Sequence, residues 1–277
     1  MKGLVFGGCS FTWGQGLYFY SNLPRLKEPE QAYAYHDHLV KKAHVLYKDC
    51  IRYPRLVANH FDTYETFKLA NGGSEDETFQ FLDVLFHKKD NPTFGSHLTL
   101  ERMDYSEAEY IIVQLSQLWR NKYYFEYDGY RQSSMLWPNS RDIGDNQENL
   151  FSWLIDNKLT FEDWVILHKD EQYKRLKKEF EFYESKGIKC RFLAWENDLL
   201  NHIFNDEFLK ERFIPLEYNG KKFNTIRELQ TTHKDMSIDG DHEYFGDKTP
   251  ADHHPSKKCH ELIAKNIINR INKELSK

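Results

Sequence analysis

A chain of 277 residues that is 40% hydrophobic and 16% aromatic carries enough apolar material for a sizeable core, and its length suits one decorated domain. A formal net charge of −5 argues against a broad phosphate-binding face, so nucleic acid is not an expected partner. The four cysteines (Cys9, Cys50, Cys190, Cys259) form no C-x-x-C pair and read as free thiols. With no run of apolar residues long enough for a membrane span and no basic, apolar leader, a soluble, cytoplasmic protein is expected.

The run Met1-Lys2-Gly3-Leu4-Val5-Phe6 predicts a first buried strand, and it breaks into Gly7-Gly8-Cys9-Ser10-Phe11-Thr12-Trp13-Gly14-Gln15-Gly16. Glycine turns the chain at no steric cost, so Ser10 falls at the strand's carboxyl end, the edge where open α/β sheets bind ligands. Its hydroxyl and its own N–H can both face a substrate there, which makes Ser10 the candidate nucleophile; the competing role is to cap the next helix. Residues 18–30 are aromatic, then rich in proline and charge, and suit a surface loop. Helical spacing follows over 32–46 and 53–61. Thr66-Phe67-Lys68-Leu69-Ala70 reads as a second strand, Asn71-Gly72-Gly73-Ser74 as its turn, and 75–86 as a helix.

Tyr110-Ile111-Ile112-Val113-Gln114-Leu115 is β-branched and almost continuously apolar, the mark of a central strand buried on both faces. A charged helix over 170–185 leads to a fourth strand within 187–195. This alternation predicts an α/β fold with a mostly parallel sheet. Residues 122–163 and 213–250 have weak periodicity and read as long loops or insertions in a single domain spanning 1–277. Substrate recognition is expected there.

Thr249-Pro250-Ala251-Asp252-His253-His254-Pro255-Ser256 precedes a last helix striped by Leu262, Ile263, Ile267, Ile268 and Ile271. A serine hydroxyl needs a base, and the base needs a third group to orient it. In an extended segment residues two apart point the same way, so Asp252 and His254 can serve one site while His253 faces the other side.

The serine after the first strand, the Asn-x-Gly after the second, the third apolar strand and the Asp/His-Pro element before the last helix together resemble the SGNH or GDSL hydrolases. The blocks follow in the family's order across nearly the whole chain. The resemblance implies a three-layer α/β/α sandwich of flavodoxin-like type and ester hydrolysis without a cofactor or metal. The substrate would be a small-molecule or glycan-linked acyl ester, with carbohydrate O-deacetylation within range. It implies Ser10 as nucleophile, His254 as general base and Asp252 as orienting acid, with Ser10 and Gly73 N–H groups holding the oxyanion and Asn71 opening that block. The chain departs from the pattern at Cys9, where the family has an acid before the serine. It departs again at Ala251, where the acid usually lies, and after the third strand, where Gln117 and Arg120 stand as candidate substrate-binding residues in place of an Asn.

Two other functions on the same fold are acyl transfer and a binding protein that has lost its chemistry. A metal site built from His233, Asp239, Asp241, His242, His253 and His254 has suitable residue types but no recognisable ligand spacing.

Overall fold

The structure is a computed structural model that describes residues 1–8, 12, 14, 17–20, 42–67, 75–86, 103–116, 122–135, 146–197, 199–250 and 252–277. Four strands form its central sheet: β1 (Gly3–Gly7), β2 (Glu65–Phe67), β3 (Ala108–Leu115) and β6 (Lys189–Ala194), in the order β2-β1-β3-β6. All three pairings are parallel; Val5 pairs with Thr66 on one side and Ile111 on the other, and Val113 pairs with Phe192.

Alternate residues of each strand feed opposite faces, so strands covered on both sides must be apolar throughout. Val5, Ile111, Val113, Cys190 and Phe192 pack with Phe79, Leu82 and Leu85 of α3 (Glu75–Leu85), Leu176, Phe180 and Tyr183 of α5 (Phe161–Ser185), Ile203 of α6 (Leu200–Phe204) and Leu209 of α7 (Glu207–Arg212). Leu4, Phe6, Tyr110, Ile112 and Leu193 pack on the other face with Val57 of α2 (Tyr53–His60), Ile226 and Leu229 of α8 (Ile226–Thr232), and Leu262, Ile263, Ile267 and Ile271 of α10 (Lys257–Leu275). The result is a three-layer α/β/α sandwich with a parallel sheet. Ile263, Ile267 and Ile271 of α10 are fully buried, worth roughly 1.5–3 kcal/mol of apolar transfer apiece.

Two expectations need correction. The helix expected over 32–46 is helical from 42 and runs on to Ile51, as α1 (Lys42–Ile51), while 32–41 lie outside the described residues. It gives way to α2 at Arg52, which is extended (ψ 149°) ahead of Pro54 in the first turn of α2. The stretches read as irregular, 122–163 and 213–250, contain regular elements. The first holds an antiparallel hairpin, β4 (Lys122–Tyr127) and β5 (Tyr130–Met135), then α4 (Asn146–Asp156) and the first turn of α5. Helix α5 starts at a reciprocal cap in which Thr160 Oγ1 accepts from Asp163 N–H and Asp163 accepts from Thr160 N–H. The second holds a hairpin of β7 (Leu216–Tyr218) and β8 (Lys221–Phe223), helix α8 and a one-turn helix α9 (His242–Phe245).

Among the described residues no helix is long and apolar enough to cross a membrane. Cys50, Cys190 and Cys259 are free thiols, and Cys9 lies outside the described residues.

Candidate active site

The strand order reverses between β1 and β3: the chain leaves β1 for β2 on one side and returns to β3 on the other. The crevice outside the carboxyl ends of two such strands is where open α/β sheets take their ligands. Here it lies beyond Gly7 and Leu115. Thr12, five residues past the end of β1, is buried and bonded across this edge: its Oγ1 lies 2.8 Å from the Tyr53 hydroxyl and donates to Gln114 Oε1 on β3 at 3.2 Å.

Residues 252–256 run beside 236–239, with a bend at His254. Asp239 N–H donates to Asp252 O, Ile238 N–H to His254 O, and Ser256 N–H to Met236 O. Ser256 then caps α10 by accepting from Cys259 N–H while its hydroxyl donates to Asp235 O at 2.7 Å. These bonds fix the segment and with it the directions of its side chains. His253 is 91% exposed and meets Asp239 Oδ2 at 2.7 Å, whereas Asp252 is 5% exposed and faces inward with His254. Asp252 Oδ1 lies 2.5 Å from His254 Nδ1 and also accepts from His254 N–H at 2.9 Å. A carboxylate only accepts, so the contact places the neutral ring's proton on Nδ1 and its basic lone pair on Nε2.

The pair adjoins a second imidazole. His260, in the first turn of α10, is fully buried, and its Nδ1 accepts from Tyr53 N–H at 3.2 Å. Burial, with smaller contributions from the neighbouring His254 and from Arg52, pushes its pKa down to about 3, so it stays neutral. Contacts run from His260 through Tyr53 to Thr12, two residues beyond Ser10 in the chain, and His254 acts on His260 through its charge.

Ser10 itself, with Cys9, Asn71, Gly73, Gln117 and Arg120, lies outside the described residues. The residues considered for a metal go to separate duties. Asp239 pairs with His253, and Asp241 accepts from the Tyr20 hydroxyl at 2.6 Å. His242 Nδ1 lies 2.9 Å from Gly246 O, and His233 sits edge-on to Tyr218. On the same sheet edge, past the end of β6, a groove of about 530 Å³ is walled by Glu196, Asn197, Thr225, Arg227, Glu228 and Thr231, with Arg227 donating to Glu196 at 2.6 Å.

Sequence reasoning passed over Thr12, Tyr53, Gln114 and His260. Each reads locally as ordinary core or helix, and they meet only through contacts 41, 102 and 207 residues apart in the chain.

No family model matches the chain, and no curated protein does. Two solved structures are similar at low identity. One is a carbohydrate esterase whose active site is described as displaying divergent catalytic and non-catalytic binding functions. It is 14% identical, with 98% of this chain and 68% of that chain covered and a TM-score of 0.47. The other is a carbohydrate esterase family 2 enzyme with a carbohydrate-binding domain from Corynascus thermopiles (Myceliophthora fergusii), 13% identical, covering 98% of this chain and 67% of that chain with a TM-score of 0.44. Likeness at this level says nothing about chemistry.

Proposed function

We propose that the protein is a serine-dependent hydrolase of ester-linked acyl groups, with Ser10 as nucleophile, His254 as general base and Asp252 as the group that orients it. The observation that carries this reading is the buried Asp252 carboxylate bonded to both the ring and the backbone of His254. A solvated histidine in a loop has no need of such a clamp, and a base that must present one nitrogen to a hydroxyl does.

In the proposed reaction Ser10 Oγ attacks the acyl carbonyl carbon and passes its proton to His254 Nε2, while Asp252 stabilises the imidazolium. Collapse of the tetrahedral adduct breaks the ester C–O bond, and His254 returns the proton to the departing alkoxide. Water then attacks the acyl-serine and gives a proton to His254; collapse frees the acid and restores Ser10. The N–H groups of Ser10 and Gly73, with Asn71 beside them, are the proposed oxyanion donors, each typically worth about 10²–10³ in rate. Gln117 and Arg120 are proposed to meet the substrate. The polar walls of the groove past β6 suit a polyhydroxylated alcohol, which favours a carbohydrate-linked ester.

The test is a panel of chromogenic acyl esters of graded chain length, run on the native protein, Ser10→Ala and Cys9→Ala. Turnover lost in Ser10→Ala and kept in Cys9→Ala is the expected result. The reverse pattern would replace serine with thiol chemistry, and no turnover by the native protein on any ester would favour the binding-protein reading.

A further inference from the structure

We propose that Tyr53 is a positioning residue that couples Thr12, two residues past Ser10 in the chain, to the helix that follows His254; this rests on the hydrolase reading above. Tyr53 opens α2 and is fully buried. Three of its parts touch three different elements. Its hydroxyl lies 2.8 Å from Thr12 Oγ1, its N–H donates to His260 Nδ1, and its ring stacks on His260 at 5.7 Å and meets Phe6 of β1 edge-on at 5.9 Å.

The direction of the polar chain is fixed by its far end. Gln114 Nε2 donates to Leu115 O at 3.0 Å, so Gln114 Oε1 is an acceptor and takes the single proton of Thr12. Tyr53 must then donate to Thr12. The order Tyr53 to Thr12 to Gln114 ties α2, the turn after β1 and the end of β3 with two directed bonds, both buried. The room for it comes from Gly8, where a Cβ would lie 2.1 Å from Thr12 Oγ1. Through its backbone the same Tyr53 docks on His260, in the helix that begins just after His254 and Pro255. One residue therefore holds Thr12 and the first turn of α10 in a common frame. A displacement of about 1 Å in such a frame costs on the order of 10²-fold in rate.

The experiment compares Tyr53→Phe, Thr12→Val, the double variant and Thr12→Ser by ester kinetics, and by amide hydrogen exchange of the segment 7–16. Tyr53→Phe and Thr12→Val should each lower kcat roughly 10–100-fold at little-changed KM. The double variant should lose no more than either alone, and Thr12→Ser should keep near-native kcat. Exchange over 7–16 should quicken in Tyr53→Phe and Thr12→Val while β6 and α5 are unchanged. Unchanged exchange over 7–16 in Tyr53→Phe, additive losses in the double variant, or equal losses in Thr12→Ser and Thr12→Val would each overturn the proposal. Quickened exchange together with ester turnover that survives Ser10→Ala would uphold the coupling and overturn the hydrolase reading.

Discussion

One carboxylate oxygen of Asp252 holds His254 at two points, the ring Nδ1 at 2.5 Å and the backbone N–H at 2.9 Å. Asp252→Asn keeps the side chain's shape and removes the negative charge that stabilises the imidazolium. The amide Oδ1 can still accept, but Nδ2 placed toward the ring would donate and push the proton to Nε2, the wrong tautomer for a base. We expect kcat on the best ester to fall roughly 10³–10⁴-fold, as is typical when the orienting acid of such a triad is amidated, with circular dichroism unchanged. Retention of kcat within a few-fold would remove Asp252 from the mechanism.

His260 predicts how stability depends on acid. Its folded pKa of about 3 is depressed below the unfolded value, which lies near 6.5, so between these limits the unfolded chain binds the extra proton. Stability is then present above the unfolded value and lost as pH falls, at up to roughly 1.4 kcal/mol per pH unit from this one group. His260→Gln keeps an acceptor for Tyr53 N–H and has no proton to gain. Urea melts at pH 5 and pH 7 should show a smaller acid loss in the variant than in the native protein. Parallel losses in both proteins would contradict the assignment.

Tyr20 and Asp241 join a single turn near the start of the chain (Leu17–Tyr20) to the loop before the last helix. The Tyr20 hydroxyl donates to Asp241 at 2.6 Å, Asp241 also caps α9 at Tyr244 N–H, and the Tyr244 hydroxyl donates to Tyr20 O at 2.7 Å. Burial, reinforced by Asp241, raises the Tyr20 pKa far above that of an ordinary tyrosine, so it remains a donor at any working pH. Tyr20→Phe leaves a buried carboxylate oxygen short of its donor and should cost about 1–3 kcal/mol in a urea melt. Adding Asp241→Asn should recover part of that loss, because an amide is cheaper than a carboxylate to leave underbonded. A Tyr20→Phe variant as stable as the native protein would show that solvent reaches Asp241.

The strands legible in the sequence are those buried on both faces, such as Tyr110 to Leu115, because a continuous apolar run survives any choice of period. The same holds for α10, whose stripe faces the sheet. The hairpins inside the stretches read as irregular were overlooked although each carries its signal. Asp128-Gly129 and Asn219-Gly220 take positive φ at both positions (52° and 74°, 50° and 74°), the two-residue turn that Asp-Gly and Asn-Gly favour. Weak alternation in the flanking strands hid them. At the candidate site Asp252 and His254 were legible because they lie two residues apart, close enough for one carboxylate to reach the other's ring and N–H. Tyr53, Thr12 and His260 were not, since nothing local distinguishes a core tyrosine from one whose hydroxyl is bonded to a turn 41 residues away.

Gly8 tests whether the turn after β1 is built around the Thr12 hydroxyl. A Cβ at Gly8 would lie 2.1 Å from Thr12 Oγ1 and 3.1 Å from both Thr12 Cβ and Gln114 Cβ. The first distance is an outright clash with a hydroxyl pinned by two bonds; the other two are tight contacts that small shifts can relieve. Gly8→Ala should therefore destabilise the native protein by about 1–3 kcal/mol, the usual cost of overpacking, and abolish most ester turnover. In a Thr12→Ala background, where Oγ1 is gone, the same Gly8→Ala change should cost markedly less. The four melts of that cycle should give a favourable coupling in the range of roughly 0.5–3 kcal/mol seen for residues in contact. Strict additivity would mean that the positive φ of Gly8 (158°) or the Gln114 side, and not the Thr12 hydroxyl, is what demands glycine at this position.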